Sequence, residues 1–209
     1  MLDKIRSFNS LVDLIENFSE DIDLEYIKSV EYGDVETQVK MVDDMAKKMG
    51  YNSPIVYRGD KKGKKQFTGR EDPSNYIQGN IFFSSKKEIG LFYTRRHNVL
   101  YSAYLQLENS LVINAKGKDW SSIPIPNKLG GKKEFPYGLQ IDDLAELANK
   151  EGYGSLIVLD VMDQAGYGDQ YVVFEPSKIK SADPITYDDN GNIIPLSKRF
   201  NPKSNDIRE

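Results

Sequence analysis

Gly168-Asp169-Gln170-Tyr171-Val172-Val173-Phe174-Glu175-Pro176 reads as a strand with a polar mouth. Its apolar run is β-branched and aromatic, and Pro176 ends it because proline cannot donate to a ladder. Period-two alternation puts Gln170, Val172 and Phe174 on one face and Tyr171 and Val173 on the other. Upstream, residues 165–168 read as a glycine-rich connector, and Leu156-Ile157-Val158-Leu159 as a continuous apolar strand. Two earlier segments have the same build: Pro54-Ile55-Val56-Tyr57-Arg58-Gly59 and Asn80-Ile81-Phe82-Phe83-Ser84-Ser85. Each carries a polar residue at an end or edge of an apolar strand.

Around these strands the texture is mixed, so the fold class expected is α+β. The first fifty residues read as helical. Ser10 is a candidate cap for a helix over residues 11–18, with Leu11, Leu14, Ile15 and Phe18 on one face. Asp34 is the candidate cap of a longer helix whose apolar positions Val35, Val39, Val42, Ala46 and Met49 recur at three- and four-residue steps. Gly50 is placed to end it. A helix from Lys86 through Tyr93 follows Ser85, and Asp142 is expected to cap another that ends at Gly152. Residues 116–138 are loop-rich, with three prolines and Gly130-Gly131. Asn190-Gly191 between Tyr187 and Ile193 is a hairpin signal. Its acids do not make a calcium loop, because the glycine falls one place early and no glutamate follows at the required distance. Residues 199–209 are polar and contain proline, so a frayed tail is expected. The resulting division is a helical segment 1–50, a central domain 51–182 and a C-terminal hairpin with tail 183–209.

The 209 residues allow one domain with an added segment. The chain has no cysteine and one histidine, His97. Disulfides, thiolate catalysis, cysteine zinc sites and His-rich metal sites are therefore excluded. With a net charge of −4, the whole molecule is not a polybasic nucleic-acid binder. No apolar run reaches the length of a membrane span, and the N-terminus lacks a secretory pattern, which suits the cytoplasm. Lysines do concentrate locally, at Lys61-Lys62-Gly63-Lys64-Lys65 and Lys86-Lys87, with Arg95-Arg96-His97 beyond. Such a rim would attract NAD, nucleic acid or an acidic protein; equally, lysines keep a loop solvated.

Each polar strand-end residue has an ordinary reading: Arg58 as partner of a carboxylate, Ser84 and Ser85 as helix caps, Gln170 as a surface residue. In their order, the three segments resemble the ADP-ribosyltransferase superfamily. Tyr57-Arg58-Gly59 is similar to its first motif, Gly79-Asn80-Ile81-Phe82-Phe83-Ser84-Ser85 to its second, and Gly168–Phe174 to its third, with Gln170 at the usual glutamate. The resemblance spans residues 51–181. More narrowly it is to the ADP-ribosyltransferase-like domains of phage and prophage polyvalent proteins.

That resemblance implies an ADP-ribosyltransferase-like split β-sandwich with NAD in the cleft, as a substrate. It implies a mono-ADP-ribosyltransferase, phage- or toxin-related, modifying a protein or nucleic acid in a bacterial host cytoplasm. Catalytic roles fall on Gln170, Arg58 and Ser84, and NAD-binding roles on Arg58, Gly59, Ser84, Ser85, Phe83 and Tyr93. Arg58 would hold phosphate oxygens or a ribose hydroxyl. Ser84 would orient the third-motif side chain, and Phe83 or Tyr93 would stack on the cationic nicotinamide. No metal is expected. Glutamine at 170 still hydrogen-bonds a hydroxyl, but it carries no charge and takes no proton. Losing a preorganised charge costs ~3 kcal/mol of transition-state stabilisation. Two readings therefore stand: an active transferase, and an ADP-ribosyltransferase-like module that binds NAD or a partner without chemistry.

Overall fold

Asp34 caps a helix as its sequence predicts: its carboxylate accepts from the Thr37 amide at 3.1 Å in the computed structural model. The structure describes residues 20–68, 79–94 and 98–209. The expected helix over residues 11–18, and Arg95-Arg96-His97, lie outside them. Helix α1 (residues 20–31) is followed by α2 (Val35–Lys48), and Gly50 adopts φ +84° just past the end of α2. Both helices bury one face.

Seven strands form one mixed sheet: β1 (Val56–Lys61), β2 (Ile81–Ser84), β3 (Asn98–Leu105), β4 (Ser110–Asn114), β5 (Ser155–Asp163), β6 (Gly166–Val173) and β7 (Ile179–Ser181). Their spatial order is β4-β5-β6-β2-β1-β3-β7. Only β4 and β5 run parallel. The sheet narrows at one point. β1 meets β2 at the single pair Tyr57–Ser84, whereas β1 pairs with β3 over six residues and β2 with β6 over four. The strands thus fall into two groups, β4-β5-β6-β2 and β1-β3-β7, joined at Tyr57 and Ser84. Helices α3 (Lys87–Phe92), α4 (Gly131–Glu134) and α5 (Ile141–Lys150) complete the α-helices among the described residues. Two expected caps differ. The helix of Asp142 starts after Gln140, with Asp142 inside its first turn, and α3 has no side-chain cap.

Burial follows the strand alternation. On one face, Leu111, Ile113, Leu156, Val158, Val161 and Val172 pack with Ile141, Leu144 and Ala148 of α5. On the other, Val56, Ile81, Phe83, Leu105, Tyr171 and Val173 gather around Phe67, whose ring meets Phe83 and Tyr101 edge-on at 5.6 and 5.2 Å. A third cluster joins Tyr26, Val42, Met45 and Tyr51 to Tyr104, Leu196 and Phe200.

This third cluster overturns the expectation of a frayed tail. Arg199, Phe200 and Ile207 are buried, and Ile207 is hydrogen-bonded at both ends, its amide to Lys65 O and its carbonyl from the Ser181 amide. The tail and α1 also share contacts, including Arg199 on the Tyr26 hydroxyl at 3.3 Å, and that hydroxyl donates to Pro184 O at 2.7 Å. Segments 20–50 and 183–209 therefore form one packed layer over β3, not separate appendages. The polar residues misled because their charges are buried on backbone carbonyls. The hairpin at Asn190-Gly191 is present: Tyr187 bridges Ile193, and the Asp188 carboxylate accepts from the Asn190 and Asn192 amides at 2.8 Å.

Lys180 makes this packing pH-dependent. Its Nζ is buried and donates to Ser204 O at 2.8 Å and Asp206 O at 2.9 Å. Burial pulls its pKa from 10.5 down to about 8, against the opposing pull of Asp206 and Glu209. Below that value the folded state carries a desolvated charge. Between there and 10.5 the unfolded chain holds a proton that the folded chain lacks, so stability rises with pH. The opposite sign applies to tyrosines: burial pushes Tyr104 up to about 12 from 10.0, so stability falls above pH 10. Urea midpoints should therefore rise by the equivalent of roughly 2 kcal/mol from pH 8 to 10. Lys180→Met should abolish the rise; an equal rise in that variant would refute the assignment.

Candidate functional site

The three polar strand ends of the sequence fall on three adjacent strands. Tyr57 of β1 lies opposite Ser84 of β2, and Ser84 lies opposite Gln170 of β6. Directly paired residues share a face, so Tyr57, Gly59, Ser84 and Gln170 look to one side of the sheet and Arg58 to the other. Arg58 sits 5.5 Å above the Phe67 ring, donates through Nε to Asp60 at 3.0 Å and reaches Phe82 O at 3.0 Å. Its guanidinium therefore spans from β1 to β2 beside the point where they part. Phe83 also faces away from Gln170. At 2% exposure it is a core residue on Phe67, which corrects the expectation that it stacks on a ligand.

The serines act mainly on backbone. Ser84 Oγ accepts from the Lys86 amide at 3.2 Å and lies 3.4 Å from Asp169 O. Ser85 Oγ accepts from the Asp169 amide at 2.9 Å, while the Ser85 amide donates to Asp169 O at 2.9 Å. The pair clasps the turn after β2 onto β6. No hydrogen bond joins Ser84 to Gln170, so the expected orienting contact is not made. Gly59 lies under α3: a Cβ there would be 2.6 Å from Gly90 O and 2.7 Å from the Tyr93 carbonyl carbon.

The residue that does meet Gln170 escaped the sequence reading. Asp163, at the end of β5, accepts from Gln170 Nε2 on Oδ2; its Oδ1 accepts from the Tyr93 hydroxyl at 2.8 Å and the Gln164 amide at 2.6 Å. Both Gln170 and Asp163 are buried. Residues 165–168, expected as a connector, mostly continue β6, and only Gln164-Ala165 turn the chain between Asp163 and Gly166. Plain alternation from Val158 would aim Asp163 to the far face. A bulge between Val158 and Val161 shifts the register by one, with Asp160 at φ +51° and its amide held by Asp169 Oδ1 at 2.9 Å. That shift turns Val161 and Asp163 onto the face of Gln170. Gly166 and Gly168 lie between the two on that face and offer no side chain to block the reach.

Tyr93, expected at the site, is there by its hydroxyl, with its ring edge-on to Phe92 at 5.3 Å. The basic loop is more occupied than a free rim would be. Tyr101 accepts from the Lys64 amide and donates to Lys61 O, and Lys65 pairs with Asp189. Burial raises the Tyr101 pKa. Among the described residues no acid or histidine cluster is arranged to hold a metal ion, and no helix is long and apolar enough to cross a membrane. Comparison with family models, curated proteins and solved structures gave no match.

Proposed function

We propose that the chain is an NAD-dependent mono-ADP-ribosyltransferase that modifies a protein or nucleic acid in a bacterial host cytoplasm, with a phage or toxin origin. The observation carrying this reading is the register row Tyr57–Ser84–Gln170, which sets the three motif strands side by side where the sheet narrows to one pair. A division of the sheet at that point is what the resemblance implies for a dinucleotide cleft.

Breaking the nicotinamide–ribose bond leaves positive charge on the ribose, and the electron pair departs with nicotinamide. Gln170 suits the ribose hydroxyls. Its amide nitrogen is engaged by Asp163, and its carbonyl oxygen accepts no bond among the described residues. Arg58 lies on the opposite face of the sheet from Gln170, beside the single β1–β2 pair, and would hold the phosphates only where the dinucleotide crosses that point. Tyr93, an exposed residue, remains a candidate stacking face for nicotinamide. The second reading, a module that binds NAD or a partner without chemistry, is favoured by one feature: the third-motif residue is a neutral amide.

Labelled NAD incubated with the protein and bacterial lysate tests both. Labelled protein or nucleic acid supports transfer; NAD binding by calorimetry without label or release of ADP-ribose supports the NAD-binding module; no NAD binding refutes both of these and leaves only the partner-binding form of the module. Arg58→Ala should weaken NAD binding roughly tenfold or more, as expected for a lost charge-assisted bond. An unchanged dissociation constant would remove Arg58 from the site. Urea denaturation of the same variant reports separately on the loss of its Phe82 and Asp60 contacts.

A further inference from the structure

We infer that Asp163 supplies, through Gln170, the negative charge of this site: a positioning carboxylate one hydrogen bond behind the group that meets the ribose. The inference rests on the transferase reading and deepens it. Three observations converge. First, the carboxylate takes three donors, Gln170 Nε2, the Tyr93 hydroxyl and the Gln164 amide, so it is fixed from β6, from the end of α3 and from its own turn. Second, a carboxylate only accepts, so the Gln170 amide must present nitrogen to it and carbonyl oxygen away from it. The ambiguity of a carboxamide is thereby removed, and the outward pole is an acceptor. Third, an N–H bound to an anion pushes electron density onto the amide oxygen, because hydrogen bonds in a chain polarise one another. The outward oxygen then carries part of what a glutamate would carry directly.

Position 163 is set on the Gln170 face by local features of β5 and β6. The bulge at residues 159–160 turns Asp163 to the Gln170 face, Asp169 pins that bulge through the Asp160 amide, and Gly166 and Gly168 leave the lane between them clear. A side chain at Gly168 would instead meet Lys86 Cγ at 2.9 Å and Ile89 Cδ1 at 3.0 Å. No proton passes to either residue in the step. The C1′–N bond breaks, the pair leaves with nicotinamide, the acceptor oxygen or nitrogen bonds C1′, and its proton goes to water.

The charge-swap series decides it. With NAD cleavage followed in the wild type, Asp163→Asn should lose about tenfold or more in kcat with KM for NAD within about twofold. Gln170→Glu alone should not gain, since its carboxylate would face that of Asp163. The double variant Asp163→Asn/Gln170→Glu should recover to within a fewfold of wild type or exceed it, because one charge is again present. A double variant no better than Asp163→Asn, or an Asp163→Asn variant with full kcat, overturns the inference. A readout free of NAD separates this from the transferase reading. The Gln170 side-chain amide resonances should lie downfield of a free carboxamide in the wild type, in response to the Asp163 carboxylate, and lose that response in Asp163→Asn; no such response overturns the inference. An intact response in a protein that neither binds nor cleaves NAD upholds the Asp163–Gln170 coupling and overturns only the transferase reading.

Discussion

Arg199→Ala should lower the free energy of unfolding by about 4 kcal/mol, the range for breaking a buried charged network. The guanidinium is 2% exposed and donates to Ser181 O at 3.1 Å, Asp183 O at 2.8 Å, Pro184 O at 3.2 Å and the Tyr26 hydroxyl at 3.3 Å. Three of those acceptors are carbonyls at the end of β7 and of the two residues 183 and 184 that follow it. Alanine removes the donor from Ser181 O and Asp183 O, Pro184 O keeping the Tyr26 hydroxyl, and opens a void beside Phe200, over whose ring the guanidinium sits at 5.4 Å. The cost is the desolvation of the orphaned carbonyls more than the lost charge, since burial already works against the cation and lowers its pKa. For a chain of this size the melting temperature should fall by about 10–15 °C. Lys203→Ala, an exposed change in the same tail, should stay within about 0.5 kcal/mol. Urea denaturation followed by circular dichroism measures both. A loss under about 1 kcal/mol for Arg199→Ala would mean that the tail rests on a core that is complete without it.

This tail shows where local pattern stops carrying information. Arg199 reads as solvated, as Pro202 and Lys203 are, because its type is usually exposed, and nothing near it in sequence announces the carbonyls that receive the guanidinium. The strands were legible for the converse reason: Ile81-Phe82-Phe83 and Tyr171-Val172-Val173 state their state and alternation within a few residues. The face of Gln170, shared with Val172, follows from that alternation alone. Its neighbours do not. Whether Arg58 or Tyr57 accompanies Ser84 depends on register between strands 24 or more residues apart, which period two leaves open. Asp163 was hidden twice, by a turn that looked like a long connector and by a bulge that inverts the alternation expected from Val158. The polar strand ends were thus readable as candidates, and the carboxylate that couples to one of them was not.

Gly59 separates two accounts of the first motif, and Gly59→Ala should cost about 2–3 kcal/mol of stability. Its φ lies outside the left-handed region, so backbone freedom is not what requires glycine. Space is. An added Cβ would lie 2.6 Å from Gly90 O, 2.7 Å from Tyr93 C and 2.8 Å from Thr94 N, all backbone atoms at the end of α3. Backbone cannot rotate away as a side chain does, so α3 must lift from β1. Gly168→Ala makes the contrast: its near neighbours are the side chains of Lys86 and Ile89, which can turn, and a loss of about 1 kcal/mol is expected. Lifting the end of α3 also draws the Tyr93 hydroxyl off Asp163, so the damage should reach the site as well as the fold. If Gly59 instead served close approach of a dinucleotide, alanine would leave the urea midpoint unchanged and remove NAD binding. Denaturation and calorimetry on the one variant distinguish these. A stable Gly59→Ala protein would show that the strand and helix tolerate the methyl and that the packing assigned to this glycine is wrong.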